Sequence, residues 1–213
     1  MGTCNKSDLI VEAAATVFPR LGYHGATVED ILQEAKVARS TFYVYFSGKR
    51  DVFMNLCGSL MDEIRKATNA GVERLVVEFS KAGAPPAEKY VLESLSGFLA
   101  ELFTFVETNR GVTRVFFNDF LVIDDETTGM FRAFQAQLTD EFEKLIEVGI
   151  RIGFLRQVSR RRAAEFIVAG LVHTARNIST GTSEFDVSEI SREIVDMQIN
   201  GLRPVASMAG ADI

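Results

Sequence analysis

Apolar residues recur every three or four positions along most of this chain, a spacing that predicts amphipathic α-helices. No stretch alternates polar and apolar residues with the period of two that a half-buried strand would require. The fold is therefore predicted to be all-α. The predicted helices cover residues 7–21, 27–35, 38–45, 48–67 with a continuation at 75–79, 87–107, 111–121, 125–152, 160–180 and 187–202.

The segment from Thr27 to Lys49 predicts two short helices joined by a tight turn and followed by the start of a third. Thr27 and Asp30 form a Thr-x-x-Asp capping pattern, which marks the start of the first of these helices. The apolar spacing breaks at Lys36 and returns by Phe42, which leaves only a few residues for the turn. This arrangement is a helix-turn-helix.

The outer face of the second short helix has the chemistry of a DNA-reading surface. Phe42 is the expected inward anchor, and the remaining side chains are a guanidinium, hydroxyls and phenols. Arginine pairs with guanine edges, while hydroxyl and phenol groups bind bases or phosphates. Each of these residues alone would fit an ordinary solvated helix, so the combination carries the prediction. The candidate DNA contacts are Thr27, Arg39, Ser40, Thr41, Tyr43, Tyr45 and Lys49.

Residues 9–56 resemble the DNA-binding domain of the TetR family of bacterial transcription regulators. The most diagnostic feature is an aromatic-rich segment followed at short distance by lysine, here Thr41-Phe42-Tyr43-Val44-Tyr45-Phe46 and then Lys49. Further matches are Ala14, Phe18, Gly22, Thr27, Val28, Ile31, Ala35, Val37 and Ala38. The departures are Lys36 where the family usually has glycine, Leu32 where it usually has alanine, Ala38 where it often has serine, and Pro19 near the end of the first helix.

The predicted organisation has two domains and a tail. Residues 1–50 form a three-helix, helix-turn-helix DNA-binding domain, and residues 51–204 form a helical ligand-binding and dimerisation domain. Residues 205–213 are small and weakly apolar and are predicted to be a flexible tail. The long helix that begins near residue 48 is expected to connect the two domains.

Composition and charge are compatible with this organisation. The 213-residue chain is 47% hydrophobic, which is typical of a globular protein, and its net charge is −6. Residues 1–50 carry six basic and five acidic side chains, so the acidic excess lies beyond them. DNA binding depends on the phosphates that are neutralised locally, so an acidic C-terminal domain does not exclude it.

Several other classes of protein are disfavoured. The sequence contains no apolar run of about 20 residues and no basic leader, so we expect no membrane partner and a cytoplasmic location. Neither His24 nor His173 has glutamate three positions before it, as a helical di-metal site would require. No nucleophile motif, phosphate-binding loop or thiol pair is present. We therefore expect no enzymatic activity, no cofactor and no metal site.

Phenylalanine is concentrated in the middle of the chain, where nine of the 17 lie between residues 98 and 142. Most of these rings are expected to fill the core. A cavity among the same helices would nevertheless be apolar and would take a hydrophobic small molecule with few polar anchors. The candidate ligand-binding residues are Phe98, Phe103, Phe116, Phe117, Phe120, Phe134 and His173.

The last two predicted helices are apolar over much of their surface and need cover from a partner subunit. In the family resembled, such helices pair with their mates in a four-helix dimer interface, to which Leu171 and Ile194 would contribute. The resemblance implies a homodimeric repressor that a hydrophobic effector releases from a palindromic double-stranded DNA operator. The alternative is a helical small-molecule-binding protein without operator binding, because Glu29 places a negative charge near the surface expected to face DNA.

Overall fold

The computed structural model describes residues 5–81, 86–120, 123–181 and 186–202. Within these ranges the chain forms nine α-helices and no strand, which confirms the predicted all-α fold. The predicted tail and residues 82–85, which follow the predicted helical segment 75–79, lie outside the described residues. The helices are α1 (Lys6–Gly25), α2 (Val28–Ala35), α3 (Arg39–Tyr45), α4 (Lys49–Ser80), α5 (Glu88–Thr108), α6 (Arg110–Asn118), α7 (Asp125–Arg151), α8 (Arg160–Thr180) and α9 (Val187–Leu202).

Local capping groups explain the ends of the first two helices. The side chain of Asn5 accepts a hydrogen bond from the backbone N–H of Ser7, at 3.3 Å, and starts α1. Gly22 interrupts the helical geometry with φ of 71°, a left-handed value that glycine adopts without a steric penalty. Thr27 is the N-cap of α2, so this helix begins one residue later than predicted.

The turn between α2 and α3 depends on an unusual lysine conformation. Lys36 has φ of 53° and ψ of 40°, the left-handed conformation that commonly ends a helix and that glycine adopts most readily. Its backbone N–H donates to the carbonyl of Leu32. The resemblance led us to expect glycine at this position, and in this chain a lysine adopts the left-handed conformation instead.

The connecting helix α4 is longer than predicted. It runs for 32 residues without interruption, from Lys49 to Ser80, whereas the apolar pattern predicted a helix of about 20 residues and a separate continuation. On its surface Asp62 and Arg65 form an ion pair, with a 3.2 Å distance between the two charged groups. α4 is thus a single continuous helix.

The helices divide into two compact units that are not continuous in sequence. Unit 1 comprises residues 1–66, 105–134 and 175–183, and therefore contains α1, α2, α3, α6 and parts of longer helices. Unit 2 comprises residues 67–104, 135–174 and 184–213. Helices α4, α5, α7 and α8 each contribute residues to both units.

Candidate nucleic-acid interface and apolar cavity

A reciprocal capping box fixes the start of the helix-turn-helix in unit 1. The backbone N–H of Asp30 donates to the Thr27 hydroxyl at 3.2 Å, and the backbone N–H of Thr27 donates to the Asp30 carboxylate at 2.8 Å. The Thr27 hydroxyl also donates to this carboxylate, at 2.6 Å. These hydrogen bonds from Thr27 lower the pKa of Asp30. Thr27 is therefore a structural cap, while its predicted contact with DNA stays a prediction.

Buried apolar residues hold α2 and α3 so that the opposite face of α3 is exposed. Ile31 of α2 and Phe42 of α3 are fully buried. Tyr43 and Tyr45 are 51% and 42% exposed, and Val44 is 75% exposed. An apolar side chain so accessible on this helix has the chemistry to contact a thymine methyl group. Val44 was not among the predicted DNA contacts, although its neighbours Tyr43 and Tyr45 were.

The N-terminal end of α3 presents the polar candidates. Arg39 and Ser40 are exposed, and Thr41 is half-buried. The guanidinium of Arg39 forms an ion pair with the carboxylate of Glu29 in the first turn of α2. These residues and the two tyrosines form one accessible surface, which is rich in hydrogen-bonding groups suited to bases and phosphates.

Lys49 has a different environment from the one that the sequence suggested. Its ammonium donates to the carbonyl oxygens of Tyr23 at 2.7 Å, Ala26 at 2.8 Å and His24 at 3.4 Å. It also lies 4.6 Å from the centre of the Tyr23 ring. Since an ammonium has three donors, these carbonyls occupy all of them. Lys49 thus binds the C-terminal end of α1, and its predicted DNA contact would require these bonds to break.

Helix α6 is attached to α1 by polar contacts within unit 1. Arg114 donates to the carbonyl of Pro19 at 2.8 Å, and the Asp119 carboxylate accepts from the backbone N–H of Tyr23 at 3.2 Å. At the other end of α6, Arg110 donates to the carbonyl of Ile178 near the end of α8, at 2.9 Å. Arg114 and Asp119 are therefore linked to the DNA-binding helices rather than to a ligand cavity.

Aromatic rings form a continuous chain through unit 1. Phe18 of α1 lies 4.9 Å from Phe53 of α4, measured between ring centres, and Phe53 lies 6.2 Å from Phe120. Phe120 stacks on Phe116 at 5.1 Å, and Phe116 in turn contacts Phe117 and Phe131. These rings pack against one another as aromatic pairs do in a closed core.

Acidic residues at the start of α7 also bind this unit together. Arg50 donates to Asp124 and to Glu126, each at 2.7 Å, and these two hydrogen bonds raise the pKa of the Arg50 guanidinium. The pKa of Asp124 is lowered first by a backbone hydrogen bond from Thr127 and then by Arg50. Asp124 therefore caps the start of α7 and also forms an ion pair with Arg50.

Unit 2 contains an apolar cavity lined by residues of α4, α5, α7, α8 and α9 and of the turn after α7. The space open to the centres of water molecules is about 80 Å³. Among the described residues that line it, Gln198 has the one polar side chain. A ligand held here would therefore be bound through apolar contacts. The aromatic lining consists of Phe79, Phe98, Phe142 and Phe154.

The structure distributes the predicted ligand-binding residues over both units. Phe98 lines the cavity, and Phe103 is buried in unit 2 but is not among the lining residues. His173 is exposed on α8. The remaining candidates, Phe116, Phe117, Phe120 and Phe134, belong to the aromatic core of unit 1. The aliphatic part of the lining was not predicted, and it includes Val91, Leu95, Ile146, Ile167 and Ile199.

Helices α8 and α9 carry large apolar side chains on the surface of unit 2. Phe166 is 79% exposed and Met197 is 68% exposed. They border a common hollow with Gly201 and Leu202. Leu171, which was predicted for a dimer interface, is only 9% exposed and lines the cavity instead. The exposed apolar surface is therefore real, but Leu171 is not part of it.

Two features of the described residues bear on other classes of protein. Across the described residues, no helix combines the length and the apolar character that spanning a bilayer requires. In the same parts of the chain, side chains of His, Cys, Asp and Glu nowhere form a group of three that could hold a metal ion.

Fold and exposed surface together define a helix-turn-helix protein. Residues 10–56 match the model of the family described as bacterial regulatory proteins, tetR family. The resemblance drawn from the N-terminal motifs is thereby confirmed: residues 10–56 have the sequence of a tetR-type DNA-binding domain. It is accordingly a DNA-binding transcriptional regulator.

The whole chain is also similar to characterised and uncharacterised regulators. It is 24% identical over 197 residues to the uncharacterised HTH-type transcriptional regulator YdgC of Bacillus subtilis, covering 92% of this chain and 91% of the relative. It is 21% identical over 194 residues to the fatty acid metabolism regulator protein of the same organism, covering 91% and 93% of the two chains.

Solved structures share the fold along nearly the full length. The crystal structure of the transcriptional regulator FadR from Bacillus subtilis in complex with stearoyl-CoA aligns with a TM-score of 0.70 and 19% identity, over 92% of this chain and 98% of that one. The fatty acid degradation regulator FadR from Bacillus halodurans aligns with a TM-score of 0.69 and 21% identity, over 95% and 99%.

Proposed function

We propose that this regulator is a homodimeric repressor that a long-chain apolar effector releases from a palindromic operator. The observation that carries the proposal is the apolar cavity of unit 2, whose lining includes Phe79 of the same helix, α4, that contributes Phe53 to the core of unit 1. A helix shared in this way can connect a ligand with the DNA-binding surface.

The size of the cavity supports a response to ligand. Pockets for small molecules usually measure about 300 to 1,000 Å³, so the 80 Å³ open to water centres is too small for such a ligand. An effector must therefore displace lining side chains, and some of these belong to α4 and α7. A ligand shifts a conformational equilibrium through its differential affinity for the two states, and a cavity that has to widen provides this difference.

The effector class follows from the lining. Because Gln198 is the one polar side chain among the described lining residues, an alkyl chain fits better than a ligand with several polar groups. Similarity to a FadR that binds stearoyl-CoA supports the same choice. We therefore favour a long acyl chain, with its polar head group outside the apolar part of the cavity.

Binding of a duplex from upstream of the protein's own gene, with stearoyl-CoA as effector and free coenzyme A as control, tests the proposal. For a coupling of about 1 to 3 kcal/mol, saturating stearoyl-CoA should weaken DNA binding about 5- to 150-fold, and the duplex should weaken stearoyl-CoA binding by the same factor. Equal stearoyl-CoA affinity with and without DNA would contradict the coupling. Stearoyl-CoA binding without binding to any duplex would favour the alternative, a helical ligand-binding protein.

The exposed apolar surface of α8 and α9 supports the homodimer. Burying Phe166 and Met197 against a second copy would remove from water two side chains that are more than two-thirds exposed. Phe166→Glu should give a monomer in sedimentation equilibrium, while Val77→Glu, at a 52% exposed site on α4, should leave the dimer intact. If the Phe166→Glu variant stayed dimeric, this surface would not be the dimer interface.

Two DNA-binding surfaces in one dimer predict the form of the operator. The half-sites should form a palindrome with centres one helical turn apart, about 34 to 36 Å, or a multiple of this distance. Footprinting of the upstream duplex would measure the spacing. A single unrepeated protected half-site would contradict the dimeric mode of binding.

A further inference from the structure

The ion pair between Glu29 and Arg39 has no evident role in folding. Glu29 lies in the first turn of α2, but the reciprocal cap of this helix is made by Thr27 and Asp30. The side chains of Glu29 and Arg39 are 52% and 60% exposed. Ion pairs at such accessible positions contribute little to stability, because water already solvates both charges.

The position of Glu29 is also unfavourable for simple attraction to DNA. Its carboxylate lies beside Arg39, which begins α3, the helix that also carries the exposed Tyr43 and Tyr45. Phosphates repel such a carboxylate, and the pair cancels the local positive charge that Arg39 would provide. A surface that only needed charge would be better served by a neutral residue in place of Glu29.

The geometry of a guanidinium offers another use for this carboxylate. Arginine has five N–H donors in a rigid planar fork, and Glu29 engages the group at Nη2. An arginine held along one edge can still present two N–H groups to the N7 and O6 atoms of a guanine in the major groove. Because the carboxylate restricts the long side chain before DNA binds, less conformational freedom is lost on binding.

We propose that Glu29 is a positioning residue that aims Arg39 at a guanine in each half-site. The specificity of the operator then depends on α2 as well as on the exposed face of α3. This inference rests on the proposed binding of DNA, and it adds a residue whose negative charge would otherwise argue against that binding.

The test uses the full-length protein and duplexes selected from a randomised pool. In the selected duplex, each G·C pair is replaced in turn, and affinities are measured for the parent and for Glu29→Gln, Arg39→Gln and the double variant. Arg39→Gln should lose about 5- to 150-fold preference for guanine at one position per half-site. Glu29→Gln should lower the preference for guanine at that same position several-fold. In the Arg39→Gln background, Glu29→Gln should lower this preference no further.

Glu34→Gln provides a matched control, because Glu34 is an exposed carboxylate on the same helix. Removing its charge should raise affinity for all duplexes by a similar factor and leave base preference unchanged. The proposal is overturned if Glu29→Gln behaves in the same way, since the carboxylate would then only repel DNA. A parent protein that selects no duplex would instead contradict the proposed function, which separates the two failures.

Discussion

The two units use phenylalanine in opposite ways. In unit 1, the rings of Phe53, Phe116 and Phe120 pack on one another with centres 5.1 to 6.2 Å apart. In unit 2, Phe79 and Phe98 surround an apolar space together with aliphatic side chains. The abundance of phenylalanine therefore does not reveal a cavity, because the same residue packs ring on ring in one unit and lines a cavity in the other.

The two units also differ in where their polar contacts lie. In unit 1, Arg114 and Asp119 connect α6 to backbone groups near the end of α1, and Lys49 binds three carbonyls there. In unit 2, charged residues such as Arg74 and Glu101 pair on the surface, while the lining of the cavity is apolar. Polar contacts thus fix neighbouring helices within unit 1, whereas unit 2 contains a small apolar space.

The largest expected difference concerns truncation of one buried ring in each unit. Phe120→Ala should lower the free energy of unfolding by about 3 to 5 kcal/mol, because Phe120 is fully buried among other rings. Phe98→Ala should lower it less, because the cavity already deprives this ring of contacts on one side. Urea denaturation of both variants measures the difference, and equal losses would contradict the contrast between the cores.

Enlarging a buried valine should discriminate between the units in a second way. Val115→Phe in unit 1 should destabilise by about 1 to 3 kcal/mol, because an extra ring overpacks a filled core. Val91→Phe in unit 2 should be tolerated better, since Val91 lines the cavity, and it should weaken binding of stearoyl-CoA. A destabilisation by Val91→Phe as large as that by Val115→Phe would show that the cavity cannot accept the ring.

Replacing either of two glycines of α4 by alanine should change stability in opposite directions. Gly58→Ala should stabilise by about 0.5 to 1 kcal/mol, because a methyl group there meets nothing within 4 Å and alanine favours helix. At Gly71 the added carbon would lie 2.2 Å from the ring of Phe98, so Gly71→Ala should destabilise and displace a ring that lines the cavity. Thermal unfolding and stearoyl-CoA binding report on both, and a stabilising Gly71→Ala would contradict this contact.

The smallest effect concerns the exposed ion pair of Arg50 with Asp124. Because the pKa of Asp124 is lowered in the folded state, its stabilisation is present above the ordinary pKa of an aspartate and is lost as pH falls through the lowered value. Arg50→Gln should reduce this dependence, while the hydrogen bond from Thr127 should preserve part of it. Unfolding temperatures from pH 2 to 7 would measure the change; identical profiles would exclude a contribution from Arg50.

The fold was largely predictable, since helix ends depend on residues close in sequence. Thr27 with Asp30, the positive-φ Gly22 and the apolar spacing of each helix act within a few positions, and the observed bounds agree with the predicted ones to within about four residues at most ends. The main exception is α4, where a weakly apolar middle section hid the continuity of the helix.

Environments that depend on distant residues were not predictable. The run of arginines at the start of α8 opposes the helix dipole, and α8 itself supplies one compensating carboxylate, Glu165, which lies 3.3 Å from Arg161. In the structure, Arg160 lies 2.8 Å from Glu147 of α7, and Arg161 pairs with Asp140 of the same helix. Carboxylates of another helix, α7, therefore compensate for the unfavourable arginines at the start of α8.

By itself, the sequence determined the helices, the helix-turn-helix and the family resemblance of the N-terminal domain, because local caps and the motif of residues 41–49 are sufficient for them. The tertiary structure decided which phenylalanines surround the cavity, where Lys49 binds, and that Glu29 holds Arg39. These outcomes depend on how helix faces meet across long separations in sequence. An apolar residue buries equally well against a ring or beside a cavity, so the periodicity that predicts burial cannot choose between them.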